Sequence, residues 1–213
     1  MREDKIKKKL IFVSIISLII FILILVNISY NGFLTKLDLS INYLDIVKSS
    51  FLINISKIID LVFDTASIII ISLFLSFFLW FKYSKKEGIF FSLTILSSSL
   101  IIFVMKEIVQ RDRPLDAIIP VTSFAFPSGH TATAVVFFGL LTYLILRKTK
   151  SKNLRLISIW ISIFMIILIG FTRLYLNLHW FSDILGGLTI GAFVLISSIL
   201  FKNILDEYKR FKV

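Results

Sequence analysis

Six apolar runs of about twenty residues each alternate with short polar or basic stretches along the chain. At 1.5 Å rise per residue, a helix of that length crosses the roughly 30 Å hydrocarbon layer of a bilayer. Lipid offers a backbone no hydrogen bonds, so each run must satisfy its own N–H and C=O groups as a helix. The runs cover residues 10–30, 59–81, 88–109, 127–146, 156–175 and 180–200. Composition agrees: 57% of the residues are hydrophobic, the mean hydropathy is +0.94, and only 17% are charged. A soluble chain carries about a quarter charged residues, so a buried soluble all-α core is the poorer alternative. The expected fold is an all-α integral membrane protein with six transmembrane helices.

Residues 31–56 are a polar–apolar mixture in which Leu37, Ile41, Leu44 and Val47 recur at helical steps. That spacing predicts an interfacial helix between spans one and two. Pro127 is expected at the first position of the fourth helix, where its missing N–H costs nothing. No small-residue cleavage site follows the first run, which therefore reads as a retained span and not a signal peptide. No internal repeat or low-complexity linker divides the chain, so residues 1–213 are expected to form one membrane-embedded domain.

The net charge of +11 is distributed in a way that does not suit a nucleic-acid partner. Basic residues cluster in residues 2–9, at Lys82, Lys85 and Lys86, in residues 147–155 and in the tail. Only Lys36, Lys48, Lys57, Lys106, Arg111, Arg113 and Arg173, of 24 Lys and Arg, fall on the other side of the spans. The positive-inside rule then places both termini in the cytoplasm, as expected for a multi-pass protein of the cell membrane. There is no Cys, and so neither a disulfide nor a thiolate metal ligand.

Three polar clusters interrupt the apolar pattern, all at the extracytoplasmic ends of the spans. Lys106 is followed by Arg113 and Pro114; Ser128, Gly129 and His130 open the fourth span; Thr172, Arg173, His179 and Asp183 join the fifth to the sixth. Lys106, Arg113 and Arg173 are three cations where each would cost on the order of 2.5–3.5 kcal/mol at the bilayer centre. Placed together they repel unless an anion joins them, and arginine forks match phosphate oxygens. Ser128 and Gly129 start a helix, whose unpaired N–H groups favour negative charge. His179 and Asp183 stand four residues apart on one helical face, so the carboxylate can fix the tautomer and free the other nitrogen to attack. His179 is thus the candidate nucleophile, Asp183 its orienting partner and His130 the acid for the departing alkoxide. Two histidines and an aspartate could also hold a metal, but the surrounding cations oppose a divalent ion. No metal and no cofactor is expected.

The stretches at residues 106–114 (KEIVQRDRP), 127–130 (PSGH) and 172–183 (TRLYLNLHWFSD) resemble, in order and spacing, the three-part signature of the type 2 phosphatidic acid phosphatase superfamily. The resemblance implies the same roles for Lys106, Arg113, Arg173, Ser128, Gly129, His130, His179 and Asp183. Thr172 departs from it, standing where the family often has Ser, though it keeps the hydroxyl. Six spans also fit the bacterial lipid phosphatases of that family. The substrates implied are undecaprenyl diphosphate, phosphatidylglycerol phosphate or phosphatidate. A bilayer-resident chain with almost no outer domain keeps its reactive groups at headgroup level, which favours a lipid phosphate partner over a soluble one. The alternatives are a transferase passing the phosphoryl group to an acceptor other than water, and an anion or lipid transporter using the basic cluster for recognition only. Of the remaining motifs, Gly187 and Gly191 form a small-xxx-small pair suited to close helix packing. Trp180 suits an interfacial anchor or a substrate contact, and Phe124 and Phe126 suit either an acyl channel or loop packing.

Overall fold

The computed structural model describes residues 2–42 and 48–210, which form eight helices and no strand. In chain order these are α1 (Arg2–Ser29), α2 (Phe33–Asn42), α3 (Ser50–Val62), α4 (Thr65–Lys82), α5 (Lys85–Val109), α6 (Gly129–Lys148), α7 (Lys152–Tyr175) and α8 (Phe181–Arg210). Short polar side chains set where several begin. Asp64 accepts from the Ser67 amide at 2.5 Å to start α4, and Ser84 and Ser151 do the same for α5 and α7. Such residues accept hydrogen bonds from amides that have no partner within the helix. At the other end of α5, Gln110 turns left-handed with φ 49° and stops the helix.

Six helices, namely α1 and α4 to α8, are long and apolar enough to cross a membrane. Two departures from expectation concern the first half of the chain. Where one interfacial helix is expected, α2 and α3 are two, and Leu44 and Val47 lie outside the described residues. The second span starts at Thr65 instead of residue 59, because the Asp64 cap ends one helix and begins another. A third departure is Pro127, which precedes α6 through a cis bond to Phe126; Ser128 is the cap.

Helix α6 is the axis of the bundle, with 61% of its span buried against 22–33% for the other five. It packs closely on α8 through small residues. A Cβ on Gly187 would lie 2.7 Å from the Ser128 carbonyl oxygen, and one on Gly191 2.8 Å from that of Ala132. The two backbones therefore touch, as the Gly187–Gly191 spacing anticipates. Ile68, Phe91, Ile95, Val136, Leu140 and Ile169 fill the core between α4 and α7. A second cluster joins α1 to Phe126, whose ring stacks on Phe21 at 5.6 Å and is fully buried. Phe126 is therefore loop packing and lines no channel. The outward faces of the spans carry exposed Ile, Leu and Phe, such as Phe74, Phe77 and Phe164. Apolar side chains on those faces suit acyl chains as their solvent.

Candidate active site

The turn from α7 to α8 places the site's central imidazole. Asn177 takes a left-handed conformation with φ 52°, and the Leu176 and Leu178 amides donate back to the carbonyls of Thr172 and Arg173. Asparagine tolerates that conformation better than most side chains. The chain thereby reverses, and His179 stands between the two spans. Asp183, in the first turn of α8, accepts from the Trp180 amide at 2.9 Å and returns a bond from its own amide to the Trp180 carbonyl. The Ser128 amide donates to the Asp183 carbonyl at 3.0 Å, so the starts of α6 and α8 are joined.

The two nitrogens of His179 face different partners. Nδ1 lies 3.3 Å from Asp183 Oδ2, and Nε2 lies 3.3 Å from Arg113 Nη1. Arg113 also donates to the carbonyls of Ser123 at 2.7 Å and Leu178 at 2.5 Å, and to that of Phe124 at 3.3 Å. Lys106, at the end of α5, donates to the same Phe124 carbonyl. A Cβ on Gly129 would come 3.9 Å from Lys106 Cε, so the start of α6 lies against the lysine stem. Ser128 is fully buried, its hydroxyl engaged with Thr131 and its amide with Asp183.

Arg173 is fully buried, with Nη2 3.1 Å from the Thr172 hydroxyl and Nη1 donating to Asp60 Oδ1. The same oxygen lies 3.1 Å from His130 Nε2, a contact without the alignment of a hydrogen bond. Burial pushes the Asp60 carboxyl up, but the neighbouring His130 and Arg173 more than offset it and hold it at about 2. Burial draws Arg113 below its ordinary value, opposed by Asp183 and aided by Arg173. His179 is shifted well below the usual imidazole range, first by burial and then by the charges of Arg113, Lys106, His130 and Arg173. Those four groups thus all act on one ring and favour its neutral form, whose Nε2 faces Arg113 Nη1.

Three functional-site contacts were not expected from the sequence. Asp60 has no motif around it and lies at an expected start of a span. Asp38 is 2% exposed, and its carboxylate accepts from the Ser182 amide at 2.8 Å and the Ser182 hydroxyl at 2.5 Å. Arg111 bridges Asp38 and Asp183, at 2.7 and 2.6 Å, and its guanidinium stacks 5.7 Å from the Trp180 ring centre. The one available signal is the acid Asp60 inside the apolar run 59–81; Asp38, in a polar–apolar mixture, carries none. Trp180 itself donates to the Asp112 carbonyl at 2.8 Å, which ties it to the loop.

A family model described as the PAP2 superfamily matches residues 87–204. The chain is similar to a phosphatidylglycerophosphatase B of Bacillus subtilis, 31% identical over 136 residues, or 62% of this chain and 65% of that protein. It is also similar to an undecaprenyl-diphosphatase of Sulfolobus acidocaldarius, 26% identical over 127 residues, or 56% of this chain and 57% of that protein. The matched part thus spans 65% and 57% of these relatives' length. A crystal structure of a transmembrane PAP2-type phosphatidylglycerolphosphate phosphatase from Bacillus subtilis overlays with a TM-score of 0.82. That overlay covers 89% of this chain and 96% of the other at 21% identity, a likeness of fold.

Proposed function

Because the chain belongs to the PAP2 superfamily, whose model covers more than half of it, we propose that it is a membrane lipid phosphatase acting through a phosphohistidine. The observation that carries this is the pair of contacts on His179: Asp183 at Nδ1 and the cation Arg113 at Nε2. With Nδ1–H donated to Asp183, the Nε2 lone pair points to the cationic side, where a phosphorus atom would be held by Lys106, Arg113 and Arg173. Attack by Nε2 forms the N–P bond and breaks the P–O bond to the lipid. His130 gives its proton to the departing oxygen. A water then loses a proton to His130 and attacks phosphorus, which frees His179 and releases inorganic phosphate. No metal enters either step, and three cations beside two histidines would repel a divalent ion.

A lipid substrate is supported by the setting. The site lies at one end of the spans, and the neighbouring α2 and α3 expose Phe33, Phe51, Leu52, Ile58 and Leu61. The relatives point to a phosphatidylglycerol phosphate or an undecaprenyl diphosphate, with phosphatidate as the third candidate. Both termini are assigned to the cytoplasm and the site to the extracytoplasmic face. A single cysteine placed in the loop 110–126 of this Cys-free chain, labelled by a membrane-impermeant maleimide in intact cells, tests that orientation.

Phosphate release by the detergent-purified protein from the three lipids side by side is the primary test. Turnover of at least one is expected, and lost in His179→Ala. Silence on all three would favour a transporter. A new phosphorylated product on adding an alcohol acceptor would favour a transferase.

A further inference from the structure

Asp60 occupies an unusual seat. It comes from α3, outside the six spans, and its side chain is 24% exposed, whereas the Arg173 side chain it meets is fully buried. Arg173 turns Nε and Nη2 to Thr172 and only Nη1 to Asp60. His130 Nε2 faces the same oxygen. The phosphate held by the proposed reaction needs an oxygen at this place, between the buried guanidinium and the acid imidazole.

We propose that Asp60 is a specificity-determining residue: its carboxylate fills the anion seat between Arg173 and His130, excludes monoanionic phosphodiester headgroups, and yields to a terminal phosphate. The proposal rests on the phosphatase function above. A bilayer presents phosphodiester headgroups at very high local concentration, each with one negative charge. A bare pocket containing Lys106, Arg113 and Arg173 would hold such a headgroup and stay blocked. The Asp60 carboxylate competes with a single charge on equal terms and is already in place. A terminal phosphate carries about −1.5 to −2 charge and three acceptor oxygens, so it outcompetes one carboxylate. The carboxylate is an ionised competitor at neutral pH, since its neighbours hold it at about 2. Its partial exposure leaves it a way out toward water.

The test uses the full chain in detergent, with dioctanoyl phosphatidate as substrate and dioctanoyl phosphatidylglycerol as the phosphodiester inhibitor. Asp60→Asn should be inhibited at concentrations about tenfold lower than the wild type, because a like charge near the bound anion has gone. Asp60→Glu should stay close to the wild type. Equal inhibition of wild type and Asp60→Asn overturns the proposal. The wild type gives a second measurement that needs no variant. Carbodiimide labelling of Asp60, read by mass spectrometry, should rise when orthovanadate saturates the enzyme. Unchanged or reduced labelling overturns the displacement of Asp60. Orthovanadate that fails to inhibit, together with no phosphate released from any lipid, overturns the phosphatase function itself and is distinguishable from both.

Discussion

Arg111 Nη1 meets Asp183 Oδ1 at 2.6 Å, with 15% of the arginine side chain and none of the aspartate exposed. A carboxylate buried inside a membrane bundle needs such a counter-ion, since an unpaired buried charge costs several kcal/mol. The second arm of the same guanidinium reaches Asp38, so α2 is linked through Arg111 to the start of α8. Arg111 is therefore a positioning residue for Asp183, and through it for His179.

Removing that counter-ion should disturb the orientation of the imidazole more than the affinity for substrate. Arg111→Ala is expected to lower kcat by about 10²-fold, with a smaller change in KM, and to destabilise the fold by about 3–5 kcal/mol. Arg111→Lys should restore part of kcat, because it returns one charge but not the bridge to both carboxylates. Steady-state kinetics with thermal unfolding of the same preparations check this. A KM rise with kcat intact would mean that Arg111 binds substrate instead.

The titration of His179 gives a signed prediction. Its folded-state value lies well below the ordinary imidazole value of about 6.5, so the folded form binds fewer protons than the unfolded chain. Stability therefore rises with pH up to about 6.5, and is lost as pH falls below it. As the proposed nucleophile, His179 keeps its neutral form to lower pH than a free imidazole, so the acid limb of kcat/KM due to it should fall below pH 6.5. Unfolding and activity profiles between pH 4 and 8 check both; an acid limb at or above pH 6.5 would contradict a neutral buried nucleophile.

The spans and the three polar clusters were legible because apolar length and charge placement are local properties of the chain. Lys106, Arg113, His130, Arg173, His179 and Asp183 each stood out as a polar residue at the edge of an apolar run. Asp60 and Asp38 did not, because their partners lie far along the chain: Arg173 for Asp60, and Ser182 and Arg111 for Asp38. The break between α3 and α4 is hidden in the sequence for a related reason. Asp64 reads as one acid within the apolar run 59–81 until its carboxylate is seen on the Ser67 amide.

Arg113 combines structural and charge roles, and one substitution separates them. Its fork reaches the Ser123, Phe124 and Leu178 carbonyls while standing 3.3 Å from His179. Lysine keeps the charge but can reach only part of this set. Arg113→Lys is expected to lose about 10²-fold or more in kcat/KM. Near-normal turnover would show that the point charge suffices and that the fork only holds the loop.

At the far end of the bundle, Lys202 of α8 and Glu87 of α5 form an ion pair of 2.5 Å with side chains 8% and 11% exposed. The ammonium also lies 4.7 Å from the Phe90 ring centre and 5.8 Å from that of Tyr143, which brings α6 into the contact. Lys202→Met should leave Glu87 buried without its closest cation, the guanidinium of Arg147 being 3.8 Å away, at a cost of about 3–5 kcal/mol. The double change Glu87→Met with Lys202→Met removes both charges and should recover most of that loss. Because the pair is at the opposite end of α5 from Lys106, specific activity of the folded fraction should change little in either variant. Thermal unfolding in one detergent, paired with phosphate release per folded molecule, checks both. If the double variant were no more stable than Lys202→Met alone, the pair would be holding α5 and α8 in register through more than charge neutrality.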